Sequence, residues 1–292
     1  MKPRVAAIGT FDGVHRGHRA VLNLLTRYAA ENDMEPVAIS FDKHPLALID
    51  PSRTPFELTP VWKKKKLLAE VGAFPMILNF DETLRSTTAD EWLKRLHYEF
   101  NVKALVLGYD NTFGSDGISL SLEDYKKKGI EAGIEVIIAD EIKGVSSSSI
   151  RKAVLAGDVE NAAEMLGRPY SITAKVVEGN HLGHTIGYPT ANITLHEGIA
   201  VPKPGVYAGI VKTLDDGIKH PAMINIGCRP TVMRGNEIVM EAHLIGWQGD
   251  LYGKDVTVRF FKRLRDEIKF DSIDALRLQL EQDRINALDC QS

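Results

Sequence analysis

The chain has 292 residues, with 36 Lys and Arg against 39 Asp and Glu for a formal net charge of −3, and it is 44% hydrophobic and 26% charged. These proportions exclude a disordered, collagenous or membrane-spanning protein, and the length predicts two domains of roughly 150 residues each. Two cysteines, Cys228 and Cys290, permit one bridge at most and no paired-cysteine zinc site, and they fit a reducing, cytoplasmic setting. The near-neutral charge argues against a dedicated nucleic-acid binder.

Residues 5–8 form an apolar run too short for a signal peptide or a membrane span. That run is the first of five predicted strands, 5–8, 37–41, 76–80, 104–107 and 136–138. They alternate with helical patterns, which predicts parallel strands with crossover helices in an open α/β sheet. Val21, Leu24, Leu25 and Tyr28 recur at helical spacing, and Thr88 with Glu91 reads as a capping box. The lysine runs 63–66 and 126–128 read most simply as solvated helix faces, with attraction of phosphates as the alternative. After Leu166-Gly167-Arg168-Pro169-Tyr170 the pattern becomes short strands punctuated by Gly and Pro. Asp216-Gly217 and Gly235-Asn236 read as hairpin turns, and the whole predicts a small antiparallel β-barrel. Ser272 then opens a terminal helix with Ile273, Leu276 and Leu280 on one face. The expected division is an α/β domain over residues 1–167 and a barrel domain over residues 168–292.

The first strand runs into Gly9-Thr10-Phe11-Asp12-Gly13-Val14-His15-Arg16-Gly17-His18 and then a helix. Two imidazoles therefore sit where a helix N-terminus offers free N–H groups, an arrangement suited to an anion. Gly17 would let phosphate oxygens approach the backbone, while His15 and His18 face charge growing on a transferring phosphoryl group. Ser146-Ser147-Ser148-Ser149-Ile150-Arg151 follows the last strand. Its hydroxyls, amides and guanidinium suit a polyphosphate beyond what a serine N-cap requires.

GTFDGVHRGH and SSSSIR resemble the two signature motifs of the nucleotidyltransferase superfamily, in the form carried by bacterial bifunctional riboflavin kinase/FMN adenylyltransferases, or FAD synthetases. ISFDKHP (39–45), LNFDETL (78–84) and GYDNTFG (108–114) are similar to that family's internal landmarks. The resemblance implies a Rossmann-like nucleotidyltransferase domain in which His15, Gly17, His18, Ser147 and Arg151 hold ATP phosphates. Gly9, Phe11, Asp12 and Ser148 would lie beside the nucleotide, and Asp110 and Asn111 near the flavin. Adenylyl transfer to FMN needs no strong base, because a phosphomonoester has its second pKa at about 6. The site must orient two anions and stabilise the charge developing on phosphorus.

In the second half, Gly179, Gly183 and Gly187 precede Tyr188-Pro189-Thr190-Ala191-Asn192. Extended backbone would point Thr190 and Asn192 to one face, where a hydroxyl and an amide oxygen suit Mg²⁺. The run from Val239 to Ile245 puts Met240, Ala242 and Leu244 on one face and Glu241 and His243 on the other. A kinase for a primary alcohol, whose pKa is near 15.7, uses such a carboxylate to accept the proton.

Gly-Tyr-Pro-Thr-Ala-Asn resembles the signature of riboflavin kinases. PGVYAG (204–209), NIGCRPT (225–231), EAHLIGWQGDLYG (241–253) and RLRDEIKF (263–270) follow in that family's order. The resemblance implies that Thr190 and Asn192 bind Mg²⁺ and ATP, Glu241 is the base, the loop 179–187 covers phosphates, and Arg265 with Glu267 borders the flavin. Its implied ligands are ATP, riboflavin, FMN and FAD, with no nucleic-acid or membrane partner. Lys43, Asn111, His184 and Gly246-Trp247 depart from the family pattern at positions bearing on flavin affinity and adenylylation rate. The alternatives are a kinase with a degenerate or differently specific first half, and a non-catalytic flavin-binding or regulatory protein.

Overall fold

Apolar runs in the first half form β1 (Arg4–Ile8), β2 (Glu35–Phe41), β3 (Phe74–Leu78), β4 (Val102–Leu107) and β5 (Glu135–Ile138), paired in parallel in the order β3-β2-β1-β4-β5. The computed structural model describes residues 2–178, 186–231 and 235–290. The chain forms two units, residues 1–147 and 148–292. Connecting the strands of the first are α1 (Arg16–Glu31), α2 (Leu46–Ile49), α3 (Val61–Glu70), α4 (Glu82–Ser86), α5 (Ala89–Tyr98) and α6 (Leu122–Ala132).

Alternation along the strands gives this sheet two cores. Val5 and Ala7 of β1 pack with Leu22, Leu25 and Ala29 of α1 on one face, while Ala6 and Ile8 pack with Trp92, Leu93 and Leu96 of α5 on the other. The capping box of Thr88 and Glu91 is present at the start of α5. Strand β3 lies two residues earlier than the sequence predicts. Pro75, which cannot donate to a ladder, is tolerated there because β3 is an edge strand paired only with β2. Beyond Leu78 the chain leaves the sheet, and the Asp42 carboxylate accepts the Phe80 N–H. The winding reverses between β1 and β4, so the loops at their carboxyl ends flank the position where open α/β sheets bind ligands.

In the second unit β6 (Ser171–Val177), β7 (Ala191–Ile193), β8 (Gly205–Thr213), β9 (Lys219–Thr231), β10 (Gly235–Leu244) and β11 (Asp255–Arg265) close into an antiparallel barrel ordered β10-β7-β6-β11-β8-β9. Before it come α7 (Ser147–Ala156), which starts at the division between the units, and α8 (Val159–Leu166), which packs on β11. Asp216-Gly217 lies in the β8–β9 hairpin as predicted, with Gly217 at φ +73°. Gly235-Asn236 is not a turn: these residues belong to β10 and pair with Thr231 and Pro230. The buried side chains decide that register, since Met240, Ala242 and Leu244 stand opposite Ile226, Ile224 and Ala222 inside the barrel.

The terminal helix α9 (Ile273–Asp289) is capped by Ser272 and packs on β8, β9 and β11. Its inward face differs from the predicted one. Ile273 is 60% exposed, and the face runs through Leu276 and Leu280 to Asp283 and Ala287. An aspartate interrupts the apolar pattern because it has a part-buried cationic partner, described below.

Candidate active sites

At the carboxyl end of β1, the loop to α1 carries three residues at positive φ: Phe11 (+46°), Gly13 (+82°) and Val14 (+39°). For a β-branched valine this is a costly conformation, and the surroundings fix it. Phe11 and Val14 are buried in the α1 core, and the Asp12 carboxylate accepts the N–H groups of Leu58 (3.0 Å) and Thr59 (3.0 Å). Ser147 Oγ donates to the Asp12 carbonyl at 2.9 Å. Gly9 N–H donates to Ile39 at the end of β2.

The loop delivers His15 as the N-cap of α1, where its Nδ1 accepts the His18 N–H at 3.3 Å. The two imidazoles stack with centroids 3.6 Å apart and planes at 19°, and Phe11 abuts His18 edge-on at 5.2 Å. The ring of His15 crowds Gly17, since a Cβ there would lie 3.2 Å from it. Glycine therefore serves this stacking as well as any approach of a ligand. The structure thus brings Gly9, Phe11, Asp12, His15, Gly17, His18 and Ser147 to one loop and helix start, with Ser148 and Arg151 following on α7 in the second unit.

Across the winding reversal, the Asn111 amide donates to the Ile8 carbonyl, and Asn111 N–H closes a turn onto Gly108. Asn111 thus stitches the β4 loop to the end of β1, leaving Asp110 and Tyr109 exposed. The Asp110 carboxylate beside it pushes the Tyr109 phenol up.

Lys64 does not belong to a solvated helix face: it is 7% exposed, shares the inward side of α3 with Leu67 and Leu68, and donates to Thr10 and Phe41 carbonyls. The run of four lysines hid it. Its only sequence signal was its spacing of three and four from that leucine pair.

The second site lies on the outer surface of the barrel. Register aligns residues neighbour to neighbour: Val177 opposite Asn192, Asn192 opposite Glu241, Glu241 opposite Asn225, Asn225 opposite Val206 and Val206 opposite Arg265. Directly paired residues share a face, so Asn192, Glu241, Asn225 and Arg265 form one row across the strands. Asn225 was within a recognised motif but not singled out, because only strand pairing reveals its place beside Glu241.

Two cavities meet at Thr190. One, of about 380 Å³, is lined by Glu241, Asn225, Arg265 and Glu267 on its polar side and by Ile268, Phe270, Leu276 and Leu280 on its apolar side. The other, of about 370 Å³, includes Thr190, Trp247, Gly249, Leu251 and Tyr252. Both fall in the size range of small-molecule pockets. Gly227 leaves room for Glu267, whose Oε1 would lie 2.6 Å from a Cβ at that position. Gly187 has φ +86°; Gly179 and Gly183 lie outside the described residues.

His243 fastens the segment before Thr190. Its Nδ1 is 2.8 Å from the Pro189 carbonyl and its ring meets Tyr188 edge-on, while Tyr188 reaches Glu281 of α9. Burial pushes the imidazole pKa down, so at neutral pH the ring is uncharged, with Nδ1–H donating to the carbonyl. His243→Leu removes that bond, worth about 1 kcal/mol, and is expected to lower riboflavin-phosphorylation kcat by about fivefold if the row beside Thr190 is where that reaction takes place. Steady-state kinetics of the variant checks this.

Arg265 holds the other end of the cavity. Its Nε and Nη2 grip Asp283 of α9 at 2.7 to 3.1 Å, and its guanidinium lies over Phe270. Asp283 is 1% exposed, and Gln279 also donates to it. Asp283→Ala leaves a part-buried cation without its partner. It is expected to destabilise the barrel unit by about 3 kcal/mol, read by denaturant unfolding.

A ligand-binding position at the winding reversal of a parallel sheet and a polar row with one carboxylate, Glu241, on a closed barrel place the chain in a class of two-domain proteins with a candidate site in each half. Similarity to known proteins narrows the class. A family model for FAD synthetase matches residues 1–151 and one for riboflavin kinase matches residues 166–290. The bifunctional riboflavin kinase/FMN adenylyltransferase of Escherichia coli K12 is 36% identical over 97% of this chain and 91% of its own. That of Bacillus subtilis 168 is 32% identical over 97% and 91%. A solved structure described as a macrolide-efflux protein from Streptococcus pneumoniae superposes with a TM-score of 0.88 at 33% identity, covering 97% of this chain and 92% of that one. The chain belongs to the bifunctional riboflavin kinase/FMN adenylyltransferase family. Among the described residues, no helix is long and apolar enough to cross a membrane.

Proposed function

We propose that the barrel transfers the γ-phosphate of ATP to the terminal ribityl hydroxyl of riboflavin and that the α/β half joins AMP to the resulting FMN, with the functional halves spanning residues 168–292 and 1–167. The observation that carries this reading is the registered row of Asn192, Glu241, Asn225 and Arg265 beneath Thr190, where two cavities meet. One cavity has the apolar wall a flavin ring needs. The other, which shares Thr190 with the first, has room for a nucleotide beside it.

In the kinase reaction Glu241 accepts the hydroxyl proton as the ribityl oxygen bonds to the γ-phosphorus, and the bond from that phosphorus to the β,γ-bridging oxygen breaks to release ADP. Arg265 and Glu267 border the flavin, and the loop containing Gly179, Gly183 and Gly187 covers the phosphates. In the adenylyl reaction an FMN phosphate oxygen bonds to the α-phosphorus and pyrophosphate leaves. His15, His18 and Arg151 stabilise the charge of that step. Gly9, Phe11, Gly17, Ser147 and Ser148 contact ATP, while Asp12 holds the loop in place, and Asp110 and Asn111 border the flavin.

Thr190 and Asn192 offer hard oxygen donors. One hydroxyl and one amide oxygen suit a divalent ion whose shell is completed by phosphate oxygens and water, which we assign as Mg²⁺. Such an ion neutralises phosphate charge as it shifts. ATP as substrate and two unbridged thiols agree with a cytoplasmic setting. Incubation of the protein with riboflavin, ATP and Mg²⁺, followed by separation of the flavins, tests the reading. FMN and FAD are expected, and absence of both overturns it.

A further inference from the structure

Lys64 places a cation at a core position of α3, where the neighbouring inward residues are Leu67 and Leu68. Burying an ammonium carries a desolvation cost that an apolar side chain in the same place avoids. Helix packing alone therefore gives no reason for it. Its surroundings do. Nζ lies 3.0 Å from the Thr10 carbonyl and 2.9 Å from the Phe41 carbonyl, tying the loop after β1 to the end of β2. Ser40 Oγ reaches the same Thr10 carbonyl at 3.0 Å.

Thr10 immediately precedes the residues at positive φ, and that loop ends in His15. A backbone held in such conformations keeps them only where the surroundings over-determine it. On one side of the loop the Asp12 carboxylate grips the Leu58 and Thr59 N–H groups just ahead of α3. On the other, Lys64 grips the Thr10 carbonyl from within α3. Burial pushes the Lys64 ammonium pKa down, and the carboxylates of Asp12, Glu57 and Asp42 oppose that push. In return, burial and the Asp12 charge push the Glu57 carboxyl up. The cation is turned toward two backbone carbonyls, so it acts as a brace rather than as a phosphate ligand.

We propose that Lys64 is a positioning residue for adenylyl transfer: its ammonium fixes the loop 9–15 so that the stacked His15 and His18 face the reacting phosphate. The inference rests on the assignment of adenylyl transfer to the α/β half. If that assignment fails, the unsubstituted chain makes no FAD; if only the present inference fails, FAD is made and Lys64 variants make it as fast.

The test measures FMN-to-FAD conversion by the full chain carrying Lys64→Met, with riboflavin phosphorylation and thermal unfolding recorded on the same preparation. Expected is a fall in kcat for adenylyl transfer of about tenfold to a hundredfold, with the ATP KM within about twofold and riboflavin phosphorylation unchanged. Lys64→Arg, which keeps charge and donors, should recover most of the loss. Groups that act as a unit give non-additive losses. Lys64→Met in a His18→Ala background should therefore cost less than about twofold further, whereas an independent structural defect would cost the same in both backgrounds. An unchanged kcat, a rise in KM alone, or equal losses in the two backgrounds overturns the proposal. Should the Met variant not fold, Lys64→Gln is read by the same criteria.

Discussion

Glu241→Gln is expected to lower kcat for riboflavin phosphorylation by about 10³-fold, within the range a positioned general base supplies, while the same protein still converts FMN to FAD at its original rate. The ribityl hydroxyl has to lose its proton as it attacks, and an amide cannot take it. Glutamine keeps the size of the side chain and its place between Asn192 and Asn225 in the register, so the barrel is preserved. The measurement is separation of flavins after incubation with ATP and either riboflavin or FMN. Retained phosphorylation would show that Glu241 is not the base. Loss of both conversions in a folded protein would show that the reactions are not divided between the halves.

The opposite pattern is expected from the histidine pair. His15→Asn with His18→Ala should lower adenylyl transfer by about 10³-fold or more and spare riboflavin phosphorylation. Asparagine at position 15 is a good N-cap, so α1 keeps its start. Each single substitution should cost almost as much as the pair, because the rings stack at 3.6 Å and the His18 N–H is held by His15. Rates with FMN as substrate, compared across the two single variants and the double variant, check both the magnitude and its lack of additivity. Additive losses would mean that the two rings act independently.

Much of this was legible in the chain itself. Each strand of the α/β half was readable from its apolar run, and the helix start at Thr88 from its capping box, because these are short-range properties. The placement of His15 and His18 at a helix N-terminus followed from a glycine-containing turn after a strand. Misreadings occurred where burial competes with composition. Lys64 looked like one of four surface lysines, and Ile273 looked like part of an inward face that Asp283 occupies further along. In both cases a charged residue sits inside because a partner distant in sequence awaits it: the Thr10 and Phe41 carbonyls for Lys64, and Arg265 for Asp283.

The sequence by itself determined the two architectures, the family resemblance and the candidate site residues, since periodicity and motif spacing are written locally along the chain. Only the tertiary structure decided which of those residues share a site. Glu241 meets Asn192 and Asn225, and Thr190 joins two cavities, because the closed barrel settles on the register that buries Met240, Ala242 and Leu244. That register is a sum of burial over several strands at once, and no single segment contains it. The strained loop before α1 is likewise held by Asp12, Lys64 and Ser147, whose partners come together only when the sheet is assembled.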